Sequence, residues 1–418
     1  MAAVGILVLA LVLILLRQNL YVVLGVVTAC AYWLLGEPAF TNVVLDSWDA
    51  LNKEVLLSIP LYILAGNIMA KGAMADRLVA LMQSATASFR GGLGMATVLS
   101  CASFAAVTGS GTVTLLAVGS VMYPALLKAG YPRHLALGLL CSAGTLGIII
   151  PPSIPLILYG VMTQTSIADL FVAGVGPALI LTTLLLVYVK IAGRHLPVEA
   201  FDGSVFVARL KSGALGLFMP VLILGGIYSG YFTPTESAAV AVIYALLVEM
   251  LVYRELSLKA LADTVVDTGG LLGSLFPVLM MALSFTVFLT YQQVPEYLAG
   301  SLTGMMGSKA GFIILTNIVL LLAGCVMDIG SAILILAPVL QPIAAAQGMN
   351  PVHFGIMSVM NLEIGYLTPP LGLNLIVAMS AFKEDFWTVC RAVLPFMALM
   401  LCGLMLIAWL PKISLFLL

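Results

Sequence analysis

SAGTLGIIIPPSIPLILYG, residues 142–160, is apolar enough to lie in a lipid bilayer, yet it carries Pro151 and Pro152 at its centre and Pro155 one turn on. Proline removes a backbone donor and clashes with the preceding turn, at a cost of about 3 kcal/mol or more inside a helix. A membrane segment that breaks at mid-depth leaves backbone groups unpaired where lipid offers no partner. Such a break is tolerated only against protein or a wet cavity.

The break has a counterpart. Shifting the chain by 218 residues, the separation of Pro151 from Pro369, also lays Pro152 on Pro370, Gly147 on Gly365, Gly130 on Gly348, Pro124 on Pro342 and Val121 on Val339. The same shift lays residues 109–113 of the stretch TGSGT (108–112) over MDIGS (327–331) without a gap. Two Pro-interrupted segments at matching places in two halves are the transporter signature with the clearest mechanism. Unwinding at Gly147–Pro152 and Gly365–Pro370 frees carbonyls to coordinate a small cation, while half-helix N-termini face an anion.

Composition places the whole chain in the membrane. Of 418 residues, 62% are hydrophobic and 8% charged, against about 25% charged in soluble domains. Apolar runs long enough to cross a hydrocarbon core of about 30 Å recur from end to end. A net charge of −1 with no basic arm argues against nucleic acid. The N-terminal run lacks a basic segment and leads straight into another span, so it reads as a retained helix rather than a signal peptide. The six cysteines lie in apolar runs without C-x-x-C spacing and read as buried thiols. His134, His195 and His353 sit at segment ends, where interfacial placement is expected.

About ten full spans are expected, at 2–17, 20–36, 56–71, 135–165, 170–190, 213–232, 235–252, 270–291, 353–381 and 386–410. The stretches 91–127 and 310–346 are interrupted near their centres, and each half is short for a span, so each is expected to form a re-entrant hairpin. Basic loops test this arrangement. Lys71, Arg77 and Arg90, then Lys128 and Arg133, then Lys190, Arg194, Arg209 and Lys211, then Arg254 and Lys259 mark the cytoplasmic side. The acidic loop 36–54 and the uncharged 347–352 fall outside. The loops alternate correctly if the first hairpin enters from the cytoplasm and the second from outside, which makes the halves an inverted repeat.

Few polar groups lie at depth. Asp328 is the strongest signal, because an ionisable group in a membrane hairpin costs several kcal/mol unless paired; a capping role at the returning helix is compatible with function. Ser110, Thr112 and Ser331 offer hydroxyls at the tips, to a substrate or as local caps. Asn67 and Asn374 are intramembrane amides, placed to reach substrate or to bond between helices. Glu236 in TPTES reads as a helix-start residue, capped by Thr233 or Thr235. Segments 76–89 and 255–268 precede the hairpin regions and are expected to lie along the interface as amphipathic arms. No H-E-x-x-H, G-x-S-x-G at a strand–helix turn or intramembrane His–Asp pair supports catalysis, so the chain does not read as an enzyme. A channel would need a continuous polar stripe, and the polar breaks are isolated.

Together, GSGT (109–112), GTLGIIIPPSIPLILYG (144–160), GYFTPTESAAVAVIYALLV (230–248) and FGIMSVMNLEIGYLTPPLGLNLIVA (354–378) resemble the large membrane subunit of tripartite ATP-independent periplasmic (TRAP) transporters, over about residues 5–410. The resemblance implies an all-α polytopic elevator-type secondary transporter of the bacterial inner membrane, with a scaffold and a moving transport domain. It also implies Na+ as coupling ion, a periplasmic substrate-binding protein, a small membrane (Q) subunit and a small carboxylate substrate. A stand-alone sodium/dicarboxylate symporter is the alternative within the class. Family sodium sites point to Gly324, Gly365, Thr368 and Leu371, and projection by 218 gives Ala106, Gly147, Ile150 and Ser153 as their symmetric partners. At the first tip Gly111 follows Ser110 where the family commonly has a second serine, which leaves Thr112 to supply a hydroxyl. The expected organisation is scaffold helices at 1–55, a first repeat at 56–196 with hairpin 91–127 and broken helix 135–165, connecting scaffold helices at 197–267, and a second repeat at 268–418 with hairpin 310–346 and broken helix 353–381.

Overall fold

A computed structural model describes residues 9, 12–13, 16, 18–35, 44–45, 48, 51–196, 198, 200–294, 297, 309–370 and 372–418. Most of the expected first span and the acidic residues Glu37, Asp46 and Asp49 lie outside the described residues. Among the described residues the chain is helical with no strand: α1 Leu20–Leu35, α2 Ser58–Lys71, α3 Met74–Thr86, α4 Gly92–Thr108, α5 Gly111–Lys128, α6 Arg133–Thr145, α7 Ile154–Thr163, α8 Ile167–Ala192, α9 Gly203–Tyr228, α10 Pro234–Leu246, α11 Leu258–Tyr291, α12 Lys309–Val326, α13 Ile329–Ala346, α14 Pro351–Gly365, α15 Leu373–Phe382, α16 Phe386–Trp409 and α17 Lys412–Leu415. Nine helical stretches among them are long and apolar enough to cross a membrane.

Helix ends fall where local chemistry puts them. Thr233 accepts from Glu236 N at 3.2 Å while Glu236 accepts from Thr233 N at 2.8 Å, so Thr233, not Thr235, closes the capping box of α10. Asn350, Asp385, Ser166 and Ser257 cap α14, α16, α8 and α11 in the same way. α6 and α7 are the two halves of one broken helix, separated by a 3-10 turn and the prolines; α14 and α15 are the halves of the other, and in both the bond between the paired prolines is cis.

The shift of 218 holds element by element. It carries α5 onto α13 end for end, and α4, α6, α7 and α8 onto α12, α14, α15 and α16 within two residues at each end. The halves also pack crosswise: α5 touches α15 of the other half, and α13 touches α7. α10 packs on α2 and on α9, and α11 on α1 and α2; these helices also meet the two halves, α9 on α3, α2 on α4 and α5, and α11 on α13.

α10 ends in a π-helical turn, Leu247–Val252, which presents the buried carboxylate of Glu249 to the start of α3. It accepts from Ala73 N at 2.9 Å and Met74 N at 2.8 Å, where the positive end of α3 favours an anion. Arg77, one turn on, stacks over the Tyr253 ring at 3.8 Å.

Two expectations are corrected, the separate arm and the burial of all six cysteines. Segment 255–268 is not a separate arm but the first part of the 34-residue α11. His353 lies at a segment end, in the first turn of α14, and is buried there, with Nδ1 3.3 Å from Ser414 Oγ. Cys101, Cys141, Cys325 and Cys390 are buried, but Cys30 is half-buried and Cys402 exposed.

Candidate functional site

The two interrupted stretches are helix–turn–helix hairpins whose tips face one cavity of about 270 Å3. Tip 1 is Thr108–Val113 and tip 2 is Asp328–Gly330. The wall is completed by Ile148, Ile154, Pro155 and Leu158 of the first broken helix, Tyr366 of the second, Ile63 and Gly66 of α2, and Leu271, Ser274 and Leu275 of α11. Apolar side chains form most of the surface, with a few convergent polar groups, as small-molecule sites require.

Tip 1 turns on Gly109. Its φ of +58° lies in the left-handed region, and a Cβ there would sit 2.5 Å from the Pro152 carbonyl oxygen. Only glycine lets the tip lie this close to the break, where Ile154 N donates to Gly109 O at 3.3 Å. Ser110 then opens α5, but its side chain makes no capping bond. Its carbonyl accepts from Thr114 N at 3.1 Å and from the Thr114 hydroxyl at 2.8 Å. The first turn of α5 therefore has no side-chain cap, and its residues Gly111 and Thr112 line the cavity. Thr112 Oγ1 lies 3.2 Å from Tyr366 OH.

Tip 2 is built differently. Asp328 caps α13, accepting from Ser331 N at 2.8 Å and from the Ser331 hydroxyl. Ser331 is thus consumed by the cap and does not line the cavity. Asp328 is the only charged side chain among the described lining residues. The three ion pairs found among the described residues, Lys71–Asp267, Arg77–Glu255 and Arg133–Glu384, do not involve it.

Ser110, Thr112 and Asp328 therefore come together from distant parts of the chain, while Asn67 and Asn374 do not join them. Asn67 Nδ2 donates to Thr268 Oγ1 at 3.0 Å, and Asn374 Nδ2 donates to Cys141 O at 3.1 Å inside the helix packing. Both amides serve as interhelical bonds.

Behind each tip lies a carbonyl-rich break. Gly324 and Gly365 meet backbone to backbone, since a Cβ on Gly365 would fall 2.7 Å from Gly324 Cα. Thr368 N donates to Gly365 O at 2.8 Å and its hydroxyl to Ile364 O at 2.9 Å. Leu371 lies outside the described residues. In the first half, a Cβ on Gly147 would fall 2.7 Å from Ser110 O, and α4, which carries Ala106, packs on the turn containing Gly147. Ile150 N donates to Leu146 O at 2.9 Å, and the Ser153 hydroxyl donates to Ile148 O. At each break, carbonyls freed from regular helical bonding are taken up by these local donors.

Sequence reasoning missed Tyr366 and Ser274, whose places in the wall depend on tertiary packing. It also passed lightly over Glu363, which is fully buried with both carboxylate oxygens unbonded among the described residues. Its repeat-related position, Thr145, stands beside it, and the Thr145 hydroxyl donates to Ser142 O at 2.9 Å.

Comparison with known proteins gives a consistent result. Residues 7–413 match the family model described as "Tripartite ATP-independent periplasmic transporter, DctM component". The chain is 38% identical over 395 residues to the C4-dicarboxylate TRAP transporter large permease protein DctM of Pseudomonas aeruginosa, covering 94% of this chain and 92% of that one. It is 36% identical over 386 residues to the isethionate TRAP transporter permease protein DctMQ of Oleidesulfovibrio alaskensis, covering 91% of this chain and 60% of that longer protein. Among solved structures, the Alcanivorax borkumensis YdaH transporter superposes with a TM-score of 0.68 at 16% identity, covering 96% of this chain and 98% of that one, which speaks to the fold alone.

Proposed function

The chain belongs to the DctM family of tripartite ATP-independent periplasmic transporters, and on that premise we propose that it is the membrane permease of a sodium-coupled importer of small organic anions. The observation that carries this reading is the family match from residue 7 to 413. The site supports it physically: two hairpin tips, two carbonyl-rich helix breaks and one mostly apolar cavity between them. In this reading the cavity between the tips receives the substrate. Sodium is coordinated by backbone carbonyls and hydroxyls at Gly324, Gly365, Thr368 and Leu371, and at Ala106, Gly147, Ile150 and Ser153.

The partners are a small Q-type membrane subunit and a periplasmic binding protein that delivers the substrate. One relative bears the combined name DctMQ and extends well beyond the length this chain matches, as a permease joined to a further segment would. Movement is elevator-like. The cavity is lined by hairpin tips and broken helices together with α2 and α11, and sliding the tips and breaks along α2 and α11 carries a molecule held at the tips across the membrane. The membrane is the bacterial inner membrane.

Uptake into proteoliposomes tests the reading. The vesicles hold this chain with its small subunit, with or without the cognate binding protein, under an imposed sodium gradient and then a proton gradient. Uptake that needs both sodium and the binding protein is the expected result. Sodium-driven uptake without the binding protein makes the chain a stand-alone symporter, and uptake driven by protons alone overturns sodium coupling.

A further inference from the structure

Among the described residues, the polar side chains that line the cavity are Thr108, Ser110, Thr112, Ser274, Asp328 and Tyr366. They differ in where their hydrogens go. Thr114 donates to Ser110 O at 2.8 Å, which leaves the Thr108 hydroxyl to donate to Thr114 Oγ1 at 3.0 Å, inside tip 1. Ser274 donates to Leu271 O at 2.7 Å, along its own helix. Asp328 is an acceptor that caps α13. Ser110, already expected as a substrate group, makes no capping bond. The Thr112 and Tyr366 hydroxyls lie 3.2 Å apart and bond only each other among the described residues. Two hydroxyls carry two hydrogens; one closes the bond between them and the other has no acceptor.

This pair joins the two halves of the chain, since Thr112 belongs to tip 1 and Tyr366 directly follows α14 at the second break. The repeat does not supply it twice. The shift of 218 lays Gly330 on Thr112 and Ile148 on Tyr366, and both of those line the same cavity without a hydroxyl. A donor without an acceptor is costly in mostly apolar surroundings, so the pair favours a ligand that brings one. We propose, building on the importer reading above, that Tyr366 is a specificity-determining residue, which forms with Thr112 a shared donor for one carboxylate oxygen of the substrate. Either hydroxyl serves as the donor while the other hydrogen-bonds to it and strengthens it. No lysine, arginine or histidine among the described residues lines the cavity to take that part, and a hydroxyl bonds an anionic oxygen more strongly than a neutral one.

Equilibrium dialysis of succinate, L-malate and L-lactate against the purified chain with its small subunit, in sodium and in potassium, selects a probe whose binding depends on sodium. That probe is then measured on Tyr366→Phe, on Thr112→Val and on the double variant. Each single change leaves one hydroxyl to turn to the substrate, so affinity is expected to fall about threefold. The double variant removes both and should lose about thirtyfold or more, beyond the roughly ninefold product of the single losses, because a charge-assisted bond is gone. Thr112→Ser combined with Tyr366→Phe keeps a hydroxyl at the tip and should bind as Tyr366→Phe alone does, which separates loss of the donor from damage to the fold. A double variant no weaker than the single ones makes the two hydroxyls a tie between the halves and nothing more, and overturns the inference. So does a double variant that matches the product of the single losses, or a serine variant as weak as the double variant with valine. In each of these cases wild-type binding leaves the importer reading standing. Absence of sodium-dependent binding of any probe to the wild type overturns both.

Discussion

Two turns built on the same plan end in different chemistry. Both hairpins pair an apolar helix ending at Thr108 or Val326 with an 18-residue helix starting at Gly111 or Ile329. The first turn closes through a left-handed glycine and leaves its second helix uncapped; the second has methionine at the matching position and caps its helix with an aspartate. The reason lies in what each tip touches. Gly109 presses on the Pro152 carbonyl, leaving no room for a side chain, whereas the Met327 side chain packs half-buried against the core. Duplicated architecture fixed the positions of the tips, and individual residues then gave them opposite electrical character.

The strongest way to break this comparison is at Gly109. Alanine there combines a left-handed φ with a Cβ against Pro152 O, so Gly109→Ala is expected to cost about 3 kcal/mol in unfolding measurements. Met327→Leu at the equivalent place should stay within about 1 kcal/mol. Next come the breaks themselves. Gly365→Ala and Gly147→Ala each push a methyl into backbone, of Gly324 and of Ser110 respectively, and each should cost about 2 kcal/mol and lower sodium-dependent uptake about tenfold or more. A loss confined to Gly365→Ala would show that only one half coordinates the ion.

Smaller effects sharpen the contrast between the caps. Asp328→Ala should cost about 1 kcal/mol of stability, while Asp328→Asn, which still caps, should stay within about 0.5 kcal/mol. Uptake should nevertheless fall about tenfold in Asp328→Asn, because the charge is lost. The least effect is expected from Ser110→Ala, within about 0.5 kcal/mol, since the Ser110 side chain makes no capping bond. A stability loss there as large as that of Asp328→Ala would contradict the asymmetry.

Much of this was legible because glycine and proline act locally. The paired prolines, Gly147 and Gly365 locate both breaks, and TGSGT and MDIGS locate both tips, without any knowledge of packing. Asp328 stood out because charge at depth is costly. What escaped were features set by neighbours distant in sequence. Tyr366 and Ser274 look unremarkable until the break and α11 bring them to the same cavity. Asn67 and Asn374 look like ligand groups until Thr268 and Cys141 O take up their amides. The arm expected at 255–268 and the span expected at 270–291 are instead joined in one helix, α11, which runs on through Gly269, Gly270 and Gly273. Water-free surroundings leave backbone groups no better partner than their own helix, so helical bonding overrides the weak propensity of glycine.

The claim that everything else depends on is that the cavity between the tips is where substrate sits. Thiol labelling of Thr112→Cys, in a background with Cys30 and Cys402 replaced by serine, tests it directly, because Thr112 lines that cavity. Substrate added with sodium should slow labelling about fivefold or more, as expected when a ligand occupies the cavity at several times its dissociation constant, and substrate added without sodium should leave the rate unchanged. Labelling that is equally fast with and without substrate, in vesicles that still take substrate up, would place the transport site elsewhere and contradict the account.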